Sequence, residues 1–569
     1  MTIIRWRPGL LDLATTLVAV GFLLPIAAGL YETVKPAFGL LPAIGADDLS
    51  LEPWRRLVDM PGFWTSLRLT VVTGFAATIV ALLLAVSLLS LLHRFGQLDR
   101  MARALAPLLA APHAAVAIGL AFLLSPSGWL VRLVSPLVSG WQVPPQIVTI
   151  QDGPGLAMIA GLVAKELPFL LLVLMAALRQ IAVDRQLAAA TALGYRPAAA
   201  WLFIILPQAY RQIRLPVYAA LSFSLSVVDV ALVLGPGHPP PLAVMAVRWF
   251  QSADLSLLRQ ASAAALLIGA VAVCGMGVWR LGEWLGAIAG RHMLRRGMRG
   301  GPPAAVTFFL NLCALTILAS GMFGLLLLAV WSFAFRWPFP AWWPDSVTLA
   351  GWLKAAQTGT DLMFHSLVLA LGSTALAILL AVMWLEGEDR AGQRPRIRMA
   401  LVYLPLVIPQ VAFLFGLNVA FLRLGLGGGL GSVTWAHALF VFPYVMLALG
   451  DPWRALDPRY GRAGSALGAS PLRVLIRLKL PLLAGPIATA AAIGFSVSIA
   501  QYLATLFIGA GRVPTLTTEA VALSSGGDRR LVGVYGTLQA LLPLACFLLA
   551  TLAPRLSRLP GTPKRGIIR

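Results

Sequence analysis

Four polar side chains interrupt apolar stretches of this sequence, and they fall into two matched pairs. They are His113, Asp229, Gln410 and Gln501. Residues 112–119 (PHAAVAIG) align with 409–416 (PQVAFLFG), and 223–229 (FSLSVVD) align with 495–501 (FSVSIAQ). Such groups are costly inside a membrane and often bind a polar solute there, but they can also hydrogen-bond neighbouring helices. Both interpretations stay open for the histidine and the aspartate, and interhelical bonding better explains the glutamines.

A loop pattern also occurs twice, at 191–208 (TALGYRPAAAWLFIILPQ) and 465–482 (SALGASPLRVLIRLKLPL). Both copies hold Leu-Gly, then a proline, then Leu-Pro at the same spacings. These positions are Leu193, Gly194, Pro197, Leu206 and Pro207 in the first copy, and Leu467, Gly468, Pro471, Leu480 and Pro481 in the second. Glycine suits a left-handed residue at a helix end, and proline suits the first turn of a helix. The pattern predicts a helix, a glycine turn and a second helix, with the Leu-Pro interrupting the chain as it enters the membrane.

The elements that carry these residues are membrane spans. The chain has 569 residues, of which 59% are hydrophobic and 12% charged, whereas soluble chains carry about 25% charged residues. Its apolar runs are long enough to cross a hydrocarbon layer of about 30 Å. The predicted spans are 9–31, 66–92, 105–125, 155–178, 215–235, 260–282, 305–333, 362–385, 399–422, 435–450, 482–508 and 532–554. The predicted fold class is an all-α polytopic membrane protein with about twelve transmembrane helices.

The positive charges predict the orientation. The net charge is +22, but most Lys and Arg residues lie in segments that are cytoplasmic if both termini are inside. These segments include Arg5 and Arg7, Arg94–Arg103, Arg291–Arg299, Arg390–Arg398 and the tail 555–569. This asymmetry orients spans during insertion and favours contact with anionic membrane lipid. No basic patch lies in a folded nucleic-acid-binding module, so we expect no nucleic-acid partner.

The sequence lacks the residue patterns of metal binding and of ATP hydrolysis. Cys274, Cys313 and Cys546 lie in predicted spans without metal-ligand spacing, and no His-x-x-x-His pair occurs, so we expect no metal and no cofactor. None of the five lysines follows a glycine, so the phosphate-binding loop of an ATPase is missing. Lys165 and Glu166 are charged neighbours in the fourth span, and pairing with other helices explains them best.

The matched segments predict two tandem halves. We expect a first transmembrane domain at 1–290, a basic cytoplasmic linker at 291–303 and a second transmembrane domain at 304–569, each domain having six spans. An even number of spans makes the two repeats parallel, related by an axis along the membrane normal.

The repeated loop resembles that of permeases of ATP-binding-cassette (ABC) importers. The family pattern is Glu-Ala-Ala, three residues, Gly, nine residues, Ile, one residue, Leu-Pro. The first copy matches it with Ala188, Ala189, Ala190, Gly194, Ile204, Leu206 and Pro207; the second with Arg462, Ala463, Gly464, Gly468, Leu478, Leu480 and Pro481. Ala188 and Arg462 replace the leading glutamate, so the contact that it makes elsewhere in the family is in doubt.

The resemblance covers both halves and implies a fused, two-domain inner-membrane permease, similar to thiamine and ferric-iron importers. It implies that the loops couple transport to two copies of a separate ABC ATPase subunit, that a periplasmic substrate-binding protein delivers the solute, and that the chain itself is not an enzyme. The transported solute stays open. The alternatives are a twelve-helix secondary transporter driven by an ion gradient and a membrane-embedded enzyme. The first would leave the repeated loop without a role, and the second lacks clustered catalytic groups.

Overall fold

The computed structural model describes residues 10–135, 138–391, 402–526 and 528–556. Within them the chain is almost entirely helical, and its main helices follow the order of the predicted spans. They are α1 (Leu10–Ala37), α2 (Phe63–Arg94), α3 (His113–Leu124), α4 (Leu156–Leu178), α5 (Leu206–Ser226), α6 (Leu257–Arg295), α7 (Ala304–Phe333), α8 (Thr360–Ala391), α9 (Val411–Arg423), α10 (Leu430–Arg454), α11 (Ala484–Ile499) and α12 (Arg529–Leu556).

Short elements connect these helices. The short α-helices are Glu52–Val58, Leu98–Ala104, Ala106–Ala110, Trp129–Val134, Val183–Ala192, Pro197–Ala200, Asp229–Leu234, Leu242–Phe250, Ala350–Thr358, Leu404–Val407, Pro458–Ala466, Pro471–Val474, Leu480–Leu482, Leu503–Gly509 and Leu516–Ser524. A 3-10 turn lies at Pro42–Ile44, and π-helical turns lie at Trp201–Ile205 and Leu475–Lys479. Strands Ala334–Arg336 and Ser346–Val347 pair antiparallel.

The helical membrane fold is confirmed. Among the described residues, nine helices are long and apolar enough to cross a membrane, and the pair Pro471–Leu482 and Ala484–Ile499, bent by 77°, is a tenth candidate. The remaining two predicted spans correspond to α5 and to α9. Helix α9 has only 13 residues, fewer than the roughly 20 that a straight crossing needs.

Four of the twelve spans are broken, and the breaks occur at equivalent places in the two halves. The third span of each half breaks before a proline: at Ala111-Pro112 before α3, and at Ile408-Pro409 before α9. The fifth spans break at Val227-Val228, after α5, and at 500–502, after α11. Irregular backbone at membrane depth is tolerated where it lines a cavity, because its polar groups would otherwise lack partners.

The two halves exchange their first helices. Helix α1 packs against α8 and α9 of the second half, and α7 packs against α2 and α3 of the first half. The exchange is reciprocal, because each first helix packs on the opposite half. Helices α1 and α7 also contact the last helix of their own half, α6 and α12. The cores of the halves are equivalent too, since α2 packs on α4 and α8 packs on α10.

Glycines permit the exchanged helices to approach closely. A β-carbon on Gly29 of α1 would lie 2.5 Å from the carbonyl oxygen of Phe413, and one on Gly119 of α3 would lie 2.5 Å from that of Gly324 in α7. No side chain fits at such distances. The halves therefore meet through backbone contacts of a kind common between membrane helices.

Some charged segments that determined the predicted orientation lie outside the described residues. These are Arg5 and Arg7, the part of the Arg390–Arg398 segment from 392 onward, and the tail beyond 556.

Candidate functional site

The four polar residues of the sequence analysis all line one cavity. It has a volume of about 280 Å³ and lies between α3, α4 and α5 of the first half and α9, α10 and α11 of the second. His113, Asp229, Gln410 and Gln501 lie on its wall. The helix breaks explain their placement, because each of the four lies within or directly beside a break.

Local structure orients the two residues of the first half. His113 is the first residue of α3 and stacks on Phe223 of α5, with ring centroids 4.5 Å apart. Asp229 begins the short helix Asp229–Leu234, so its carboxylate faces the backbone N–H groups of that first turn. In the sequence, Pro112 indicates the break before His113, whereas no proline indicates the break before Asp229.

The residues of the second half are neutral. Gln410 donates through Nε2 to Oε1 of Gln501 over 3.5 Å, the outer limit of a hydrogen bond. Interhelical bonding of the two glutamines, one of the sequence interpretations, is therefore weak here. Both amides keep groups that can bind a solute.

Lys165 and Glu166 also line this cavity and are tied to their own half. The Lys165 ammonium donates to the carbonyl oxygens of Leu108 (2.8 Å) and Leu109 (3.1 Å), and to that of Ala111. It thus caps the carboxyl end of the short helix before the first break. Glu166 accepts a hydrogen bond from Ser224 of α5.

The repeated loop has the same order of elements in both halves. Helix Val183–Ala192 is followed by Gly194 with φ +82°, and helix Pro458–Ala466 is followed by Gly468 with φ +78°. A short helix then begins at Pro197 in the first copy and at Pro471 in the second. The predicted order of helix, glycine turn and helix is present in both copies.

The Leu-Pro step differs from its prediction in the first copy only. Each Leu-Pro follows a π-helical turn, in which the N–H of Leu206 bonds the carbonyl of Trp201 and that of Leu480 bonds the carbonyl of Leu475. Proline lacks the N–H of a regular helical bond, and the wider π turn absorbs the defect. In the first half the helix continues directly into α5, without the predicted interruption. In the second half the helix ends at Leu482 and the chain bends by 77° before α11, so an interruption does follow Pro481.

The loops expose apolar side chains at equivalent positions. Leu193 is 64% exposed and Leu467 is 88% exposed, each directly before its glycine. Ala188, Ala189, Arg462 and Ala463 are exposed as well. The third motif position faces inward instead: Ala190 is buried, and a β-carbon on Gly464 would lie 3.0 Å from Val474. The exposed positions form a surface that is suited to contact with another protein.

The anchoring of the loops differs between the halves. In the first half, Gln186 and Gln208 exchange side-chain hydrogen bonds of 3.2 and 2.7 Å. In the second, the Lys479 ammonium bonds Glu386 at 2.6 Å and Asp389 at 2.9 Å. The first loop is therefore held by a neutral amide pair together with a 3.0 Å contact between Asp184 Oδ1 and His93 Nε2, and the second by the ion pairs of Lys479.

The predicted linker touches only the first loop among the described residues. The N–H of Arg196 donates to the carbonyl of Arg299 over 3.1 Å, and a β-carbon on Gly194 would lie 3.1 Å from Nη1 of Arg299. The equivalent space at Gly468 is open. The two loops thus present different surroundings.

The fold and the cavity define a class of protein: a two-fold pseudosymmetric membrane transport protein with a polar cavity between its halves and a matched loop on each. Comparison with known proteins specifies the class further. Residues 391–556 match the family described as the binding-protein-dependent transport system inner membrane component.

Three relatives illustrate the similarity. The inner membrane ABC transporter permease protein YnjC of Escherichia coli K12 is 32% identical over 511 residues, covering 89% of this chain and 91% of the relative. The molybdenum transport system permease protein ModB of Mycobacterium tuberculosis is 30% identical over 192 residues, 32% of this chain and 70% of its own length. The spermidine/putrescine transport system permease protein PotC of E. coli K12 is 24% identical over 204 residues, 36% of this chain and 75% of its own.

The chain belongs to the inner-membrane permeases of ABC transporters. It is a multi-pass membrane protein that acts as the permease subunit of an importer, and such permease components are not themselves enzymes. Family membership favours this function over the twelve-helix secondary transporter, and it gives the repeated loop a role.

Proposed function

We propose that the cavity between the halves is part of the translocation path, and that the two loops each dock one copy of the same ABC ATPase subunit. The observation that carries the second part is the matched geometry of the loops. Both place an exposed leucine, Leu193 or Leu467, beside a glycine with positive φ. Two loops with the same backbone geometry on one chain fit two copies of the same partner.

Hydrolysis of ATP then takes place in that separate subunit. The lysines of the chain do not form a phosphate-binding loop. A periplasmic substrate-binding protein delivers the solute to the opposite face. Both termini and the linker 291–303 lie in the cytoplasm in this proposal, which keeps 1–290 and 304–569 as the two permease domains and places their basic segments beside anionic lipid.

The path proposal rests on the placement of four polar residues at four helix breaks. Discontinuous helices build the solute sites of many transporters, because freed backbone groups and helix ends can face the solute. His113, Gln410, Asp229 and Gln501 are the side chains that we assign to this path.

The names of the relatives do not fix the solute. ModB is named for molybdenum transport and PotC for spermidine and putrescine, and one scaffold can carry unrelated cargo. The class of solute has to be inferred from the residues that line the cavity.

Purification of the tagged chain from its native membranes tests the proposal. Quantitative mass spectrometry should find an ABC ATPase bound at two copies per chain. Replacing Leu193 by Asp should remove about half of the bound ATPase, and replacing Leu467 as well should remove the rest. A chain that purifies without any ATPase, or keeps both copies in the double variant, would contradict the docking assignment.

A further inference from the structure

We propose that the cavity binds a small organic cation, with Asp229 as the counter-charge. The inference rests on the proposed translocation path and specifies the class of solute that this path takes. It follows from the charged side chains of the cavity wall, from the partners that each of them already has, and from the aromatic rings that line the same wall.

The first step concerns the ammonium in the wall. Lys165 is the only lysine or arginine that lines the cavity within the described residues. An ammonium has three N–H donors, and Lys165 directs its bonds to the carbonyls of Leu108, Leu109 and Ala111. No donor of this group is left for an anionic solute.

The second step concerns the carboxylates. Two of them line the cavity, Glu166 and Asp229, and both come from the first half. Glu166 accepts a hydrogen bond from Ser224 through Oε1, but its Oε2 is buried without a hydrogen-bond partner among the described residues, so this carboxylate adds negative charge to the wall. Within the described residues no Lys, Arg or His nitrogen lies within 4.0 Å of the Asp229 carboxylate, which is 8% exposed. A buried carboxylate without a cationic partner favours binding of a positive charge.

The third step concerns the aromatic rings. The rings of the cavity wall belong to Phe169, Phe223, Phe440, Tyr444 and Tyr502. The faces of such rings carry partial negative charge and attract ammonium groups, by about 2 kcal/mol when the pair is desolvated. They also bury the carbon skeleton of an organic solute.

Size sets the remaining limit. Ligand pockets usually measure about 300–1,000 Å³, and this cavity has about 280 Å³. The solute that fits is therefore compact. Gln410 and Gln501 of the second half also line the cavity and can bind its polar substituents without adding charge.

Three compounds that share one branched carbon group test the charge preference: neopentylammonium, neopentyl alcohol and pivalate. Their dissociation constants for the purified full-length chain in lipid nanodiscs can be measured by thermal unfolding monitored through tryptophan fluorescence. We expect neopentylammonium to bind roughly ten times more tightly than the alcohol, because a charge-assisted hydrogen bond contributes that much. Pivalate should bind more weakly than the alcohol.

Two variants assign the preference to its residue. Asp229→Asn should weaken binding of neopentylammonium severalfold toward that of the alcohol, while the control Asp254→Asn, at an exposed residue of a loop outside the cavity, should not change it. If Asp229→Asn does not fold, Gln501→Glu tests the same point, because a second carboxylate should strengthen cation binding.

Three results would overturn the inference: pivalate binding at least as tightly as neopentylammonium, no binding of any of the three compounds, or an unchanged ammonium preference in Asp229→Asn with no gain in Gln501→Glu. None of these results depends on bound ATPase. Loss of ATPase docking would refute the coupling proposal separately and leave the charge preference testable.

Discussion

At the residue scale, function depends on polar groups at helix breaks and on glycines at loop turns. Sequence periodicity located both sets, because paired segments recur at fixed spacing in the two halves. It could not locate the break before Asp229, since Val227 and Val228 are β-branched residues that also occur inside membrane helices. Nor could it show that Lys165 is directed to carbonyls, because that contact joins α4 to a short helix more than 50 residues earlier.

Replacing Gly194 or Gly468 by valine should disrupt docking without unfolding the spans. A left-handed residue with a β-carbon costs about 1–2 kcal/mol, and a β-branched one more. Gly194→Val additionally displaces Arg299, whereas the space at Gly468 is open. We therefore expect less bound ATPase in each variant, the lower amount in Gly194→Val, and least in the double variant.

The matched control is Gly461→Ala in the helix before Gly468. Its φ is not positive, and no atom lies within 4 Å of the added β-carbon. This variant should retain its ATPase. Normal transport by the double valine variant would mean that the loops are ordinary turns.

Replacing His113 by alanine should impair uptake. The side chain stacks on Phe223 and faces the cavity, so its loss changes the wall of the path and leaves the distant loops intact. Uptake of the native solute into whole cells should fall severalfold at an unchanged amount of assembled ATPase. If uptake is unchanged, His113 has only a structural role and does not belong to the translocation path.

At the element scale, a π turn in each half leads from the loop toward the fifth span. The sequence predicted an interruption at each Leu-Pro, but a π turn transmits the helix across the proline in the first half. The tertiary anchors were not predictable, because Gln208 and Lys479 have neutral and charged partners that local sequence does not reveal. Docking forces on either loop therefore reach the fifth span through different contacts.

Replacing Lys479 by methionine should destabilise the protein more than replacing Gln208 by methionine. The first change removes the ammonium from Glu386, which is only 4% exposed, and from Asp389, although Arg390 stays 3.0 Å from Glu386. Loss of a hydrogen bond to a charged group costs about 1.5–3 kcal/mol, whereas loss of a neutral hydrogen bond costs about 1 kcal/mol. We expect the midpoint of thermal unfolding in detergent to be lower for Lys479→Met than for Gln208→Met. Equal midpoints would contradict this prediction.

At the scale of the whole molecule, the exchanged helices α1 and α7 bind the halves into one body. The sequence predicted two tandem halves but not the exchange, because the pairs Gly29 with Phe413 and Gly119 with Gly324 join residues hundreds of positions apart. Because each first helix contacts both halves, a relative movement of the halves changes the contacts of α1 and of α7.

Replacing Gly324 by leucine should separate the halves. Its β-carbon would lie 2.8 Å from the carbonyl carbon of Gly119, and overpacking of this kind costs about 1–3 kcal/mol or more. We expect a lower midpoint of thermal unfolding and less folded protein in the membrane. Gly282→Leu in α6, where no atom lies within 4 Å, should behave like the parent chain; a parent-like Gly324→Leu would show that the contact tolerates separation.

The orientation of the molecule can be tested at two glycines. Gly300 lies in the basic linker and Gly526 follows helix Leu516–Ser524, and both are exposed. In a chain whose three native cysteines are replaced by serine or alanine, a membrane-impermeant maleimide applied to sealed cells should label Gly526→Cys and not Gly300→Cys. Permeabilised cells should label both, which shows that each thiol is reactive. Because basic segments are retained on the cytoplasmic side, labelling of Gly300→Cys in sealed cells would invert the orientation and move both docking loops to the outer face, where no ATPase could reach them.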